Sequence, residues 1–167
     1  CHVLRRRLLR TRPRAAAEHF LQNVFRAAKT AGLPELETAR TAAARIAETL
    51  DKLGAGPNDL AIAQCAAGGD ILFAEACMAR GVPFQMLLPL EEPDFIEASV
   101  LPSSNGESWR QRYLALRDKL TLPPRIMPDE LGPLPRESDG REMNPFERCN
   151  LWLLYSALAQ GLDRVRF

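Results

Sequence analysis

The amino-acid sequence predicts an α/β fold, a Rossmann-like three-layer domain with a mainly parallel sheet. Short apolar runs of strand length alternate with longer stretches of helical periodicity, and Gly or Pro residues separate them. A hydrophobic fraction of 46% and a charged fraction of 26% are typical of a globular chain. Because alternating strands and helices need crossover connections, we expect parallel strands with helices covering both faces.

The first long element is predicted as an amphipathic helix from Leu33 to Leu53. Pro34 suits a first helical position, and Lys52 followed by Gly54 is typical of a helix end. The apolar residues between them recur at helical spacing and are Leu36, Ala39, Ala43, Ile46 and Leu50. After a turn, the apolar run from Leu60 to Gln64 predicts a buried strand.

The next helix, Ile71 to Arg80, is apolar on nearly every face, which indicates burial against a sheet. The remaining predicted elements, in chain order, are a strand Phe84–Leu88 ended by Pro89, helices Asp94–Val100 and Glu107–Leu120, a short strand Arg125–Met127, an exposed loop Leu131–Arg141, a helix capped by Asn144 and running to Gln160, and a last strand Asp163–Phe167. The aromatic residues Trp109, Tyr113 and Trp152 are predicted to lie in the core.

The charge distribution divides the chain into a basic arm, residues 1–30, and an acidic α/β domain, residues 31–167. The arm carries eight Lys or Arg and one acid, although the net charge of the whole chain is only +1. An arm of this kind is typical of contacts with nucleic acid, here through residues 5–14, of contacts with an anionic membrane surface, or of a transit peptide. It also fits a solvated segment that contributes little to folding. These alternatives stay open.

Both ends of the predicted sheet are short of a complete domain. The candidate for a first strand is only His2 to Leu4, which arginines follow, and the sequence stops in the apolar Phe167 with no helix after it. We therefore expect this sequence to be part of a longer domain or of a longer polypeptide.

Cysteine usage and hydropathy predict a soluble cytoplasmic protein. Cys1, Cys65, Cys77 and Cys149 show no spacing of metal ligands, so no zinc site is expected. The longest uncharged apolar run, residues 151–159, is far shorter than the roughly 20 residues of a membrane span.

Ligands of open parallel sheets bind beyond the carboxyl ends of the strands, where helix N-termini and loops meet. Three predicted loops leave that edge: Cys65–Asp70, Pro89–Asp94 and Pro128–Glu130. In the first loop, Gly68 and Gly69 allow a ligand to approach the backbone amides at a helix start. The same glycines fit a tight turn without any ligand.

Two carboxylates near the Gly-rich turn are candidates for chemistry. Asp70 stands where a helix N-cap belongs, so it either caps the helix or contacts a ligand. Glu75 is the only charged residue between Asp70 and Arg80, and a carboxylate in apolar surroundings needs a partner or a purpose. Its alternatives are catalysis and an ion pair, for instance with an Arg of the 107–120 helix.

The predicted carboxyl edge of the sheet is rich in acids. These are Asp70, Glu91, Glu92, Asp94, Asp129 and Glu130. They would repel a bare polyphosphate but suit ribose hydroxyls, an amine or a metal-bound phosphate. The candidate ligand-binding residues are Gln64, Gly68, Gly69, Asp70, Pro89, Glu91, Asp129 and Glu130. Cys65 could serve as a nucleophile, but without a nearby base packing is the expected role.

The segment from Ala63 to Pro89, AQCAAGGDILFAEACMARGVPFQMLLP, resembles the core of the SLOG superfamily. These are Rossmann-like domains related to the DNA-processing protein DprA and to the lonely-guy phosphoribohydrolases. More loosely, the segment is similar to nucleoside deoxyribosyltransferases, in which a Glu on the corresponding helix attacks the sugar. The sequel from Glu92 to Val100 and from Trp109 to Tyr113 resembles uncharacterised bacterial proteins in which such a domain accompanies helical repeats.

The resemblance implies that Gly68, Gly69 and Asp70 contact a nucleotide, with Asp70 and Glu75 as catalytic candidates. The expected function is binding of a nucleotide or nucleoside-derived ligand at this turn, either as a sensor or as an enzyme that cleaves an N-glycosidic bond. The alternative is a non-catalytic protein-interaction or regulatory module of a larger chain. The sequence identifies neither a cofactor nor an oligomeric state.

Overall fold

A computed structural model describes residues 2–5, 35–136 and 138–166 of the chain. The strands are β1 His2–Arg5, β2 Asp59–Ala63, β3 Phe84–Leu88, β4 Arg125–Ile126 and β5 Val165–Arg166. The helices are α1 Glu35–Leu53, α2 Gly69–Met78, α3 Glu92–Ser99, α4 Gly106–Arg117, α5 Met127–Leu131 and α6 Pro145–Leu158. Three features of the sequence analysis lie outside the described residues: the arm from residue 6 onward, the helix start at Pro34 and the strand end at Phe167.

The five strands form one sheet in the order β4-β3-β2-β1-β5. β2, β3 and β4 are parallel neighbours, with Ala61 opposite Phe84 and Leu87 opposite Arg125. The predicted α/β class and the parallel arrangement of these strands are confirmed. β1 differs, because it is antiparallel to both of its neighbours, β2 and β5.

The start of the predicted basic arm belongs to the sheet. His2 lies opposite Ile62 and Arg5 opposite Asp59, so β1 enters at the carboxyl end of β2 and leaves at its amino end. On its other side, Leu4 lies opposite Val165 of β5. Residues 2–5 therefore form a strand of the sheet between β2 and the edge strand β5.

Alternating residues of the strands belong to two hydrophobic clusters, one on each face of the sheet. Ala61 and Ala63 of β2 pack with buried residues of α1, α2 and α4, whereas Ile62 between them belongs to a second cluster. That second cluster contains Leu87 of β3 and the buried side of α6, including Trp152. The period of two along β2 and β3 thus separates the helices into two groups.

Helix α2 is deeply buried, as its apolar sequence predicts. Its buried residues are Ile71, Leu72, Phe73, Ala74 and Cys77. Just beyond its end, Arg80 ties α2 to α1 through Asp51, with Nη2 to Oδ1 at 2.7 Å. The same guanidinium donates to the carbonyl of Ala47 at 3.2 Å.

Two further sequence predictions are confirmed. Trp109, Tyr113 and Trp152 are all buried. The side chain of Asn144 accepts a hydrogen bond from the amide of Phe146 at 2.8 Å, so it caps the N-terminus of α6. Within the described ranges, no helix combines the length and hydropathy that a bilayer span needs.

Candidate functional site

The turn from β2 to α2 has the most constrained backbone at the carboxyl edge of the sheet. Cys65 follows β2 with φ 71°, in the left-handed region that side chains rarely adopt. Gly68 has φ 93° and ψ −121°, a conformation open only to glycine, and it is the N-cap of α2. Gly69 is already the first helical residue. The strict requirement for glycine therefore lies at Gly68.

Asp70 does not cap α2, because Gly68 holds that position. Its Oδ2 instead accepts a hydrogen bond from the amide of Ala66 at 3.3 Å, across the turn. The first bond within the helix runs from the Leu72 amide to the Gly68 carbonyl at 3.0 Å. The amides of Gly69 and Ile71 consequently have no acceptor within the helix, as in helix starts that bind anions or polar ligands.

The turn is also fixed from the side of β3. The amide of Ala67 donates to the carbonyl of Ser99 at 3.0 Å, so the last residue of α3 holds the middle of the turn. The first predicted loop is therefore in direct contact with the C-terminal end of α3.

Gln64, which follows β2, connects this edge to α6. Its side chain is buried, with 8% exposed, and its Nε2 donates to Oδ1 of Asn150 at 2.8 Å. Asn150 itself is exposed. Sequence reasoning missed Asn150, because its place beside Gln64 arises from the packing of α6 on the sheet and has no local signal.

Glu75 forms an ion pair with Arg112 of α4. Nε of Arg112 donates to Oε1 at 2.8 Å, and Nη2 contacts Oε2. The guanidinium also lies over the ring of Trp109, with its Cζ 4.3 Å from the centroid. About a third of each charged side chain is exposed. The predicted pairing of Glu75 with an Arg of the 107–120 helix is therefore present, but the pair is half-buried rather than buried. A catalytic role of Glu75 stays a prediction.

The second loop places its candidates differently from one another. Pro89 is buried, whereas Glu91 is exposed at the N-cap position of α3. Glu92 accepts from the hydroxyl of Tyr113 at 3.2 Å and lies 3.3 Å from Nε of Arg117. Burial, together with the charge of Glu92, raises the pKa of the Tyr113 hydroxyl. Of the acids of this loop, Glu91 and Asp94 are exposed and Glu92 is half-buried.

The third loop, residues 128–130, forms part of the short helix α5. Asp129 is exposed. Glu130 is paired with Arg125 through two hydrogen bonds, one of them 2.6 Å long, and this partner lowers its pKa. Arg125 in turn lies over the ring of Trp152, 4.9 Å from the centroid.

Helix α6 also holds α5 in place. Arg148 donates to the carbonyls of Leu131, Gly132 and Pro133 at 2.8 to 3.0 Å. The helix that contacts Gln64 through Asn150 therefore also fixes the loop that carries Asp129 and Glu130. Helix α6 thus positions two parts of the carboxyl edge.

The described surroundings of Cys65 disfavour a nucleophilic thiolate. Burial, and then the charge of Asp70, raise the pKa of its thiol well above the ordinary value. Cys149 of α6 has its pKa raised to about 12 by the same two causes. Both thiols are buried, which fits the predicted packing role of Cys65.

In the described ranges, no three His, Cys, Asp or Glu side chains are grouped as metal ligands. A cavity of about 560 Å³ lies elsewhere, between the loop that precedes α6 and the start of that helix. Its lining includes Leu134, Glu142 and Asn144 and none of the predicted site residues.

Comparisons of this chain with protein-family models, with curated proteins and with solved structures gave no match. The case for a function therefore rests on the geometry of the sheet edge.

Proposed function

We propose that this chain binds a nucleoside or nucleotide at the Gly68–Asp70 turn, as a sensor that does not cleave its ligand. In this proposal it is a three-layer Rossmann-like domain of the SLOG type. The supporting observation is the conformation of Gly68, with φ 93° and ψ −121° at the start of α2. A backbone open only to glycine presents the amides of residues 69–71 at the edge where parallel sheets bind ligands.

The acids around the turn favour the sugar part of such a ligand. Glu91, Asp94 and Asp129 are exposed, while Glu92 and Glu130 have cationic partners. Exposed carboxylates accept hydrogen bonds from ribose hydroxyls but repel an unshielded polyphosphate. We therefore favour a nucleoside or a nucleoside monophosphate over a triphosphate without metal.

The environment of Glu75 favours binding over cleavage. Both of its carboxylate oxygens are engaged by Arg112, which is itself stacked on Trp109. A carboxylate that attacks an anomeric carbon must bring an oxygen to that carbon. Attack by Glu75 would first have to break this pairing.

A calorimetric and melting-shift screen of the 167-residue chain tests the proposal. The probes are adenosine, inosine, cytidine, uridine, their monophosphates, and ATP with and without Mg²⁺. A binder gains RT ln(1 + [L]/Kd) of stability, about 2.7 kcal/mol at a hundredfold excess over Kd. Absence of stabilisation by every probe would refute nucleoside binding. Release of free base, followed by chromatography, would instead establish the N-glycosidase alternative.

The alternative, a protein-interaction module, has one observation in its favour. Leu151 and Tyr155 lie one turn apart on α6, 42% and 65% exposed, and Leu162 beyond the helix is 76% exposed. Exposed apolar groups of this size occur at interaction surfaces. This function would be favoured if the chain bound no nucleoside and self-associated in sedimentation experiments, and if Tyr155→Ser abolished that self-association.

A further inference from the structure

The side chain of the buried residue Gln64 contains an acceptor that has no donor among the described residues. Gln64 and Asp59 are the buried polar side chains of the described part of the chain. Nε2 of Gln64 donates to Asn150, but within residues 2–5, 35–136 and 138–166 its Oε1 accepts no hydrogen bond. Buried polar atoms are nearly always hydrogen-bonded, so an exception calls for a partner. A ligand donor is one way of supplying it.

In the structure Nε2 of Gln64 faces Oδ1 of Asn150 at 2.8 Å, so Oε1 is the atom of the Gln64 amide that this pairing leaves over. Asn150 is exposed, and its Nδ2 carries two further donors. The pair therefore offers an acceptor, Oε1 of Gln64, beside a donor, Nδ2 of Asn150.

This amide pair lies at the same edge as the Gly68–Asp70 turn. Gln64 directly precedes Cys65, at which the turn begins, and Asn150 directly follows Cys149. Both Gln64 and the turn therefore follow the carboxyl end of β2. The proposal places the sugar over the helix start and the base beside the amide pair.

We propose that the Gln64–Asn150 pair recognises a nucleobase with an exocyclic amino group, of the adenine or cytosine type. Oε1 of Gln64 accepts from the amino group, and Nδ2 of Asn150 donates to the adjacent ring nitrogen. This inference rests on the proposed nucleoside binding. A base with a carbonyl in place of the amino group would place an acceptor opposite Oε1, which is unfavourable. Because the sugar is held at the turn, such a base could not turn over to bring its ring N–H to Oε1 and its carbonyl to Nδ2.

Titration calorimetry of the 167-residue chain with two matched pairs of nucleosides tests this proposal. Adenosine is compared with inosine, and cytidine with uridine, because each pair differs in the amino group. At least one amino-bearing nucleoside should bind about tenfold or more tightly than its carbonyl counterpart. Asn150→Ala should weaken the binding of that nucleoside about tenfold. It should also reduce the difference in affinity between the amino-bearing nucleoside and its carbonyl counterpart. The control is Gln160→Ala, which removes an exposed amide beyond the end of α6 and should change nothing.

A second variant separates loss of the donor from loss of the Gln64 contact. Asn150→Asp keeps an oxygen that accepts from Nε2 of Gln64 but removes Nδ2, so it should lose as much affinity as Asn150→Ala. Nucleosides that bind equally with and without the amino group, in the original chain and in both variants, would overturn this inference and leave the proposed function intact. Failure of every nucleoside to bind would overturn both.

Discussion

Arg112 of α4 joins Glu75 of α2 to the indole ring of Trp109. Its guanidinium donates to both carboxylate oxygens of Glu75 and lies 4.3 Å from the centre of the Trp109 ring. A planar guanidinium matches a carboxylate and stacks on an aromatic face at once, which Lys cannot do. Glu75, the acid in the middle of the apolar helix α2, thereby attaches that helix to α4.

The exchange Glu75→Gln should lower the free energy of unfolding by about 1–2 kcal/mol. The charge-assisted pair is lost, but about a third of each side chain is exposed, so the cost is smaller than for a fully buried pair. Nucleoside affinity should stay within a few-fold. Urea unfolding and calorimetry measure the two quantities.

The matched control is Glu107→Gln. Glu107 forms an exposed ion pair with Arg110, and both residues are on α4, the helix that carries Arg112. That variant should be nearly neutral. If the Glu75→Gln variant keeps its full stability but its rate of base release falls about a hundredfold or more, Glu75 is a catalytic group. The structural role assigned to it is then wrong.

The exchange Gly69→Val should abolish ligand binding while the chain still folds. The added side chain occupies the helix start over which the ligand is proposed to lie, and Gly69 has no positive φ that would strain it. Gly56→Val is the control, because a Cβ at Gly56 meets no atom within 4 Å and the residue lies at the amino end of β2. Equal nucleoside affinity in both variants would show that the ligand does not bind at this turn.

The exchange Gly68→Ala should destabilise the fold by about 1–3 kcal/mol. Its φ of 93° with ψ −121° is strained for any residue that has a Cβ. Thermal unfolding, with Gly56→Ala as the unstrained comparison, measures the difference. A stable Gly68→Ala chain would mean that the turn adopts another backbone conformation.

Removal of residues 1–5 should disrupt the sheet, because β1 lies between β2 and β5 and is hydrogen-bonded to both. Removal of residues 6–14 instead takes away basic residues outside the described part of the chain, and we expect a loss of less than about 1 kcal/mol. Circular dichroism and thermal unfolding distinguish these results. Equal stability of the two shortened chains would contradict the position of β1.

The buried thiols should make the protein less stable at alkaline pH. Burial raises the pKa of Cys77 and of Cys149 to about 12, above the usual value of about 8.5. Between these values the unfolded chain releases thiol protons that the folded chain retains. The contribution of the protonated thiols to the free energy of unfolding is therefore complete below about pH 8.5. Above that pH it falls by at most about 1.4 kcal/mol per pH unit for each thiol.

Urea unfolding at a series of pH values from 8 to about 10.5 measures this slope. Cys149→Ala should show a shallower decline than the original chain, since one of the titrating groups is gone. Identical slopes would show that the Cys149 thiol ionises alike in both states.

The sequence predicted those features that local pattern determines. The alternation of apolar residues identified β2 and β3, and the Asn144 cap identified the start of α6. The isolation of Glu75 in an apolar helix predicted a cationic partner because an unpaired carboxylate is costly there. In each case the physical cause lies within a few residues of the chain.

The features that sequence analysis missed depend on contacts between distant segments. The direction of β1 is set by its pairing with β2 and β5, and four residues contain no signal for it. Asp70 has the residue type of an N-cap, but the backbone of Gly68 moves the helix start two residues earlier. The partnership of Gln64 with Asn150 follows from the packing of α6 and could not be read from either segment alone.

The antiparallel direction of β1 determines where neighbouring polypeptide would emerge. His2 lies opposite Ile62 near the carboxyl end of β2, and Arg166 of β5 lies opposite Val3. Chain joined before β1 or after β5 therefore leaves the sheet on the side of the Gly68 turn. A purification tag at either terminus would therefore extend from the edge at which nucleoside binding is proposed, so the binding measurements call for an untagged chain.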